Sequence, residues 1–455
     1  MIYTGLKFII TLALHVFFRT LSTQYTEPIP EDRPLIIVAN HPSTFMDAMA
    51  ISAVLKQPVY FLAKGSLFAN RFLQIFFNMI HMIPIYRSQD DPTMMAKNED
   101  NFKRCYHFLS KRKTLLIFPE GISKWDRRLH KIKTGTARIA LGAEQANHYQ
   151  LGLVIVPVGI NYSEVGIFRS DLFLSFGRPI AVSRFFSLHR EDERKAVDAL
   201  TDCIRERLEE HTIHIETEEM NLLVEKIEMI YKSKLSDDLG LSLKEKIEDF
   251  GITKNIVEAV RHFYHHDPSR VEALREKITQ YAENLDRFRL KDDMLSPDVS
   301  RRSLRSDSLK TILFFLIGLP IYLYGITTNY PPYKLTGVLS GKISGDIEYQ
   351  GPVKLVLGVV LFPLYYLLLL WYMTSICPLG WLILLMAVPL PLSGFFALYY
   401  WDRIEKIHGF LLFLSLFYRQ STRVATLIQQ RLDITNILKI AQADYLRYRE
   451  NPHER

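Results

Sequence analysis

The stretch Pro34-Leu35-Ile36-Ile37-Val38-Ala39-Asn40-His41-Pro42-Ser43-Thr44-Phe45-Met46-Asp47 decides how this chain is read. Residues 34–39 are a short apolar run of the kind that forms a buried strand. Open α/β sheets place their sites where such strands end, so His41 is delivered to a strand terminus. Pro42 suits the first position of a helix. That predicts His41 in a loop and Asp47 inside the helix that follows. An imidazole titrates near neutral pH and can take a proton from a hydroxyl. A carboxylate beside it fixes the tautomer and steadies the imidazolium that forms. A His and an Asp at this spacing are, alone, most often unrelated surface groups, so the pair needs support from the rest of the chain.

Three later segments supply it. Ile83-Pro84-Ile85-Tyr86-Arg87 reads as a short strand ending in a cation. Leu115-Leu116-Ile117-Phe118-Pro119-Glu120-Gly121-Ile122-Ser123 reads as an apolar strand running into a turn, and Val154–Tyr162 as a strand broken by Pro157. Each junction closes on residues suited to chemistry or anion binding. Taken singly, Arg87 could be a surface ion-pair partner, Glu120 a helix-start acid and Ser123 an N-cap.

Together and in this order the four blocks resemble the glycerolipid acyltransferases that act on glycerol-3-phosphate, dihydroxyacetone phosphate or 1-acylglycerol-3-phosphate. The likeness covers roughly residues 30–185. Five residues separate His41 from Asp47 where the bacterial-type enzymes usually have four, and no Thr-Arg-Ser follows Glu120-Gly121. Both departures look more like the fungal membrane enzymes that acylate glycerol-3-phosphate or dihydroxyacetone phosphate. The resemblance implies an α/β domain, a mixed sheet flanked by helices, with the blocks lining one groove. It implies His41 as general base and Asp47 as its orienter. No cofactor is expected, because acyl-CoA or acyl carrier protein brings its own leaving group. Arg87 would bind the acceptor phosphate through its planar fork. Phe118, Pro119, Glu120, Gly121 and Ser123 would form a second wall, with Glu120 orienting Arg87 or a substrate hydroxyl. Pro157 would shape the wall beside the thioester. The cationic stretch Lys131–Arg138, with Lys133 and Gly135, opens the apolar helix 137–146. It could bind phosphate at a helix N-terminus or be a solvated loop with an ordinary cap. A 1-acylglycerol-3-phosphate acceptor, and a catalytically silent lipid-binding scaffold, are the competing readings.

At 455 residues the chain exceeds one core. Its net charge of +7, with basic residues beside apolar segments, favours an anionic membrane surface. No nucleic-acid reading motif is present. Cys105, Cys203 and Cys377 suit neither a disulfide framework nor a zinc site. His107, His130 and His148 read as surface residues, and the pair His265-His266 is weak as a metal site; no metal is expected.

The expected organisation is a membrane-associated helix in 1–26, a catalytic domain in 27–215, a helical region and basic linker in 216–307, transmembrane helices in 308–402, and a polar helical tail in 403–455. Residues 7–18 are too short to span comfortably and lack a cleavage site, which suggests a helix lying on the lipid. From Arg190 to Leu290 the charged chain has helical period, with Met220, Leu223, Ile227 and Ile230 on one face, and should pack on the catalytic part. Thr311–Ile326, Leu355–Ile376 and Trp381–Tyr400 are the apolar stretches; Pro363, Pro389 and Pro391 predict kinks or a re-entrant helix. Arg301, Arg302 and Arg305 place the catalytic half on the cytoplasmic side. The basic tail calls for an even number of crossings, which three full spans would contradict. Residues 408–418 read as an interfacial helix.

Overall fold

The computed structural model describes residues 2–86, 98–241, 245–295, 308–376, 389–419 and 421–450. Arg87, Cys377, the linker arginines and the first part of the Trp381–Tyr400 stretch lie outside these residues. The chain forms two compact units, Met1–His214 with Leu339–Val359, and Ile215–Val338 with Val360–Arg455.

The first unit is built on one sheet of eight strands. In chain order its elements are α1 (Ile2–Phe17), β1 (Thr20–Tyr25), β2 (Leu35–Ala39), α2 (Thr44–Val54), β3 (Val59–Lys64), α3 (Arg71–Met79), β4 (Met82–Ile85), α4 (Asn98–Ser110), β5 (Thr114–Ile117), α5 (Gly135–Ala146), β6 (Val154–Tyr162), β7 (Asp171–Phe176), β8 (Ile180–Ala181), α6 (Phe186–Glu191) and α7 (Glu193–His211). The strand order is β1-β7-β6-β2-β5-β3-β4, with β8 beside β6. Strands β2 to β6 run parallel to one another, whereas β7 and β8 run antiparallel to β6. The sheet is therefore mixed.

Every residue of β2 and β5 is buried, as a strand covered on both faces requires. The period-2 alternation of a strand then sorts neighbours into two cores. Ile36, Val38, Leu115 and Ile117 face Leu109 of α4, Ile139 and Leu141 of α5 and Leu200 and Ile204 of α7. Leu35, Ile37, Ala39 and Leu116 face Leu14 and Phe17 of α1 and Met46, Ala50 and Ile51 of α2. Thus α1 contributes to the core on one side, while its Phe8 and Leu12 are 71% and 58% exposed.

Contrary to expectation, β6 is not broken at Pro157. Its antiparallel partner changes there, from β8 at Val154–Ile155 to β7 from Val158 onward. The Pro157 carbonyl accepts the Gly177 N–H at 2.8 Å. A strand residue's N and O point to the same side, so the missing N–H faces the interruption and costs no ladder bond.

The second unit contains α8 (Glu218–Asp238), α9 (Lys246–His266), α10 (Pro268–Phe288), most of α11 (Ser308–Ile343) and α12 (Ile347–Ile376), and α13 (Pro389–Arg419) and α14 (Ser421–Glu450). The charged run divides: α7 packs on β6 and α5, whereas α8, α9 and α10 pack with one another and with α14. Met220, Leu223, Ile227 and Ile230 are all buried. Tyr231 donates to Gln442 at 2.8 Å, Arg270 pairs with Asp444 at 2.9 Å, and Arg431 grips Asp292 at 2.9 and 3.0 Å.

Lys310–Ile343 and Ile347–Ile376 are long and apolar enough to cross a membrane by length and composition. Thr311–Ile326 is thus the first half of a much longer helix that continues through Pro320, Pro331 and Pro332. Pro389 and Pro391 lie at the start of the described part of α13. Residues 408–418 lie within that same helix. Asn329 bridges these apolar helices, accepting from the Tyr366 hydroxyl and donating to the Leu390 carbonyl at 3.1 Å.

Candidate active site

The parallel strands β5, β2 and β6 lie side by side, so the residues after Ala39 and Ile117 and the last residues of β6 emerge at one sheet edge. Asn40 makes the exit. Its carboxamide accepts the Ile160 N–H at 2.7 Å and donates to the Ile160 carbonyl at 3.0 Å. A side chain thus replaces the next rung of the ladder and frees the main chain to turn away at His41.

The helix after that turn starts at Thr44, with Ser43 as N-cap, two residues later than Pro42 would place it. Asp47 falls in its first turn and is fully buried. Its Oδ2 accepts from His41 Nδ1 at 2.8 Å and from the Ser43 N–H at 2.8 Å. Its Oδ1 accepts the Tyr162 hydroxyl at 2.7 Å. Three donors offset the cost of burying the carboxylate. Burial first, and then the Asp47 charge, push the Tyr162 phenol well above its ordinary range, so Tyr162 remains a donor.

A carboxylate only accepts, which puts the imidazole proton on Nδ1 and leaves the Nε2 lone pair outward. The His41 side chain keeps 18% of its surface exposed. Phe118 stacks on the ring at 3.9 Å between centroids and 10° between planes. The imidazole is thereby held by its edge and by one face.

Glu120 is 4% exposed and clamps the loop from below. Its Oε1 accepts the His41 N–H at 2.9 Å and its Oε2 the His130 N–H at 2.9 Å. Burial pushes this carboxyl up to about 7, against the pull of those two N–H groups. Glu120, expected to orient Arg87 or a substrate hydroxyl, instead takes two main-chain amides as its protein partners. Ser123 Oγ accepts the Thr44 N–H at 2.8 Å, and the Lys124 N–H donates to the His41 carbonyl at 3.1 Å. Gly121 adopts φ +67°, and a Cβ there would lie 2.8 Å from the Lys133 ammonium, so the turn requires glycine. The Lys133 N–H in turn donates to the Pro119 carbonyl at 2.8 Å.

His41, Asp47, Phe118, Glu120, Gly121 and Ser123 therefore come together, with Pro119 in the turn and Lys133 against Gly121. Pro157 is buried within the sheet beside Val38. Arg87 follows β4 and lies outside the described residues. His130, read from sequence as a surface residue, is half-buried, and its ring bonds the Asp126 carboxylate at 3.0 Å. Nothing local in the sequence marks Asn40 or Tyr162, whose partners Ile160 and Asp47 lie far along the chain. Among the described residues no cluster of His, Cys, Asp and Glu could hold a metal ion. The imidazole of His266 bonds the carbonyl of His262 on its own helix.

Residues 21–161 match the family described as Acyltransferase. Glycerol-3-phosphate O-acyltransferase 1 of Saccharomyces cerevisiae is 29% identical over 43% of this chain and 25% of its own length. Glycerol-3-phosphate O-acyltransferase 2 of the same yeast is 24% identical over 49% of this chain and 28% of its own. The chain thus spans about a quarter of the length of the curated relatives it matches. A crystal structure of the 1-acyl-sn-glycerophosphate acyltransferase PlsC from Thermotoga maritima aligns with 45% of this chain and 78% of that one, at 21% identity and a TM-score of 0.33. Residues 21–161 thus carry an acyltransferase-family domain, and the yeast glycerol-3-phosphate O-acyltransferases are among the proteins it is similar to.

Proposed function

We propose that this chain transfers a fatty acyl group from a thioester, acyl-CoA or acyl carrier protein, to a hydroxyl of glycerol-3-phosphate or dihydroxyacetone phosphate. The observation that carries this reading is the His41–Asp47–Tyr162 chain, which aims one imidazole lone pair outward from a buried carboxylate. His41 Nε2 takes the proton of the acceptor hydroxyl as its oxygen attacks the thioester carbon. The C–S bond breaks, and the departing sulfur receives that proton from the imidazolium. A positioned base of this type contributes on the order of 10² to 10⁴ in rate. Asp47 stabilises the imidazolium through the same bond that sets the tautomer. Arg87 and Lys133 would bind the acceptor phosphate, and the 118–123 turn would wall the site.

The two long apolar helices would anchor the enzyme in the bilayer with its catalytic unit on the cytoplasmic side, where the acyl chain and a water-soluble phosphate can meet. The test is transfer of radiolabelled acyl-CoA by membranes carrying the chain, offered glycerol-3-phosphate, dihydroxyacetone phosphate and 1-acylglycerol-3-phosphate in turn. Turnover with one of the first two, lost in His41→Ala, is expected. Preference for the third acceptor would reassign the substrate. Turnover surviving in His41→Ala would refute the base, and silence with every acceptor would favour a lipid-binding scaffold.

A further inference from the structure

The segment that joins the two long apolar helices folds into the catalytic unit. We infer that this turn, residues 339–359, completes the active site and that Glu348 is the positioning residue through which it acts; the inference rests on the acyl-transfer reading above. Three hydrogen bonds carry it. The Glu348 carbonyl accepts the hydroxyls of Ser43 at 3.2 Å and Thr44 at 3.3 Å, and its Oε1 accepts the Trp125 N–H at 2.9 Å. One residue at the start of α12 thereby bridges the N-terminus of α2 and the loop that follows Glu120.

Those are the two segments between which His41 is held. The loop takes the Thr44 N–H through Ser123 and donates to the His41 carbonyl through Lys124. Thr44 also has φ +38°, unfavourable for a β-branched residue and sustained only where its surroundings over-determine it. Ser123 and Glu348 are the groups that hold it, one by its N–H and the other by its hydroxyl.

The turn is itself seated firmly. Lys354 Nζ donates to the Gly166 carbonyl at 2.7 Å, and Ser340 Oγ donates to the Gln350 carbonyl at 3.1 Å. Gly351 lies so close that a Cβ on it would be 3.1 Å from the Gly166 Cα. Leu355 is 4% exposed, in the same core as Met46 of α2. A general base works only within a narrow geometry, so the seating of an apolar helix start becomes a condition for proton transfer at His41.

The test uses the full chain in membranes, with Glu348→Ala, Glu348→Gln and Glu348→Asp. The Gln amide oxygen can still accept the Trp125 N–H; the shorter Asp keeps the charge but loses the reach. We expect kcat to fall roughly tenfold or more in E348A and E348D, with KM for both substrates within about twofold and E348Q within about threefold of wild type. Hydrogen exchange in a peptide covering residues 121–128 should quicken in E348A and E348D and stay at the wild-type rate in E348Q. Wild-type kcat and exchange in E348A or E348D would overturn the inference, as would an E348Q defect equal to that of E348A. Should the wild-type chain turn over no acceptor, the acyl-transfer reading fails separately, and the exchange comparison alone decides whether Glu348 holds the loop.

Discussion

Asp47→Asn isolates what the buried charge does. Asp47 gives Oδ2 to His41 and Ser43 and Oδ1 to Tyr162. An asparagine can keep its oxygen toward His41 and Ser43 and turn its NH₂ to Tyr162, whose hydroxyl then accepts. The tautomer survives and the charge does not. A general base acts from its neutral form, so substrate binding should change little. In the transition state a full imidazolium faces position 47. Opposite unit charges about 4 Å apart attract by about 4 kcal/mol at an effective dielectric constant of 20. A neutral hydrogen bond returns about 1 kcal/mol of that. The remaining 3 kcal/mol or so corresponds to roughly a 100-fold fall in kcat, at about 1.4 kcal/mol per tenfold. The assay is the initial rate of thiol release from acyl-CoA at saturating acceptor, with KM measured alongside. A variant that keeps a third of wild-type kcat, or that loses activity through KM alone, would refute electrostatic support of His41 by Asp47.

Two further perturbations follow from the same site. Tyr162→Phe removes a buried donor to a carboxylate, worth about 1.5–3 kcal/mol of stability; denaturant unfolding should show that loss in the wild-type background and a smaller one beside Asp47→Asn, and additive losses would contradict the bond. Glu120 ionises near 7 when folded against a reference of 4.5. This raised carboxyl supports the fold fully below pH 4.5, and its contribution is lost as pH rises through 7, by about 3 kcal/mol for that displacement. In Glu120→Gln that slope should vanish, although one of the two main-chain N–H groups loses its acceptor. Parallel stability curves for the two proteins between pH 5 and pH 8, followed by tryptophan fluorescence, would exclude the assignment.

Local signals in the chain were enough for much of the architecture. The apolar runs at 34–39 and 115–117 announce buried strands, because a strand covered on both faces needs no polar alternation. The four blocks name the residues of the turn, and a carboxylate close in sequence to a histidine at a strand end already marks a pair. Proline was legible only in part. Pro157 reads as a break until the change of partner strand shows why its missing N–H is harmless.

What tertiary structure alone decided are the contacts made across long chain separations. Tyr162 reaches Asp47 over 115 residues, Asn40 reaches Ile160 over 120, and Glu348 reaches Ser43 over 305. Periodicity and turn chemistry report on windows of a dozen residues or so, and none of these partners lies within such a window. The chain by itself determined which groups could do acyl-transfer chemistry. Sheet order and the docking of residues 339–359 determined which groups hold them still, because only the folded chain brings a strand end, a helix start and an apolar hairpin to one place.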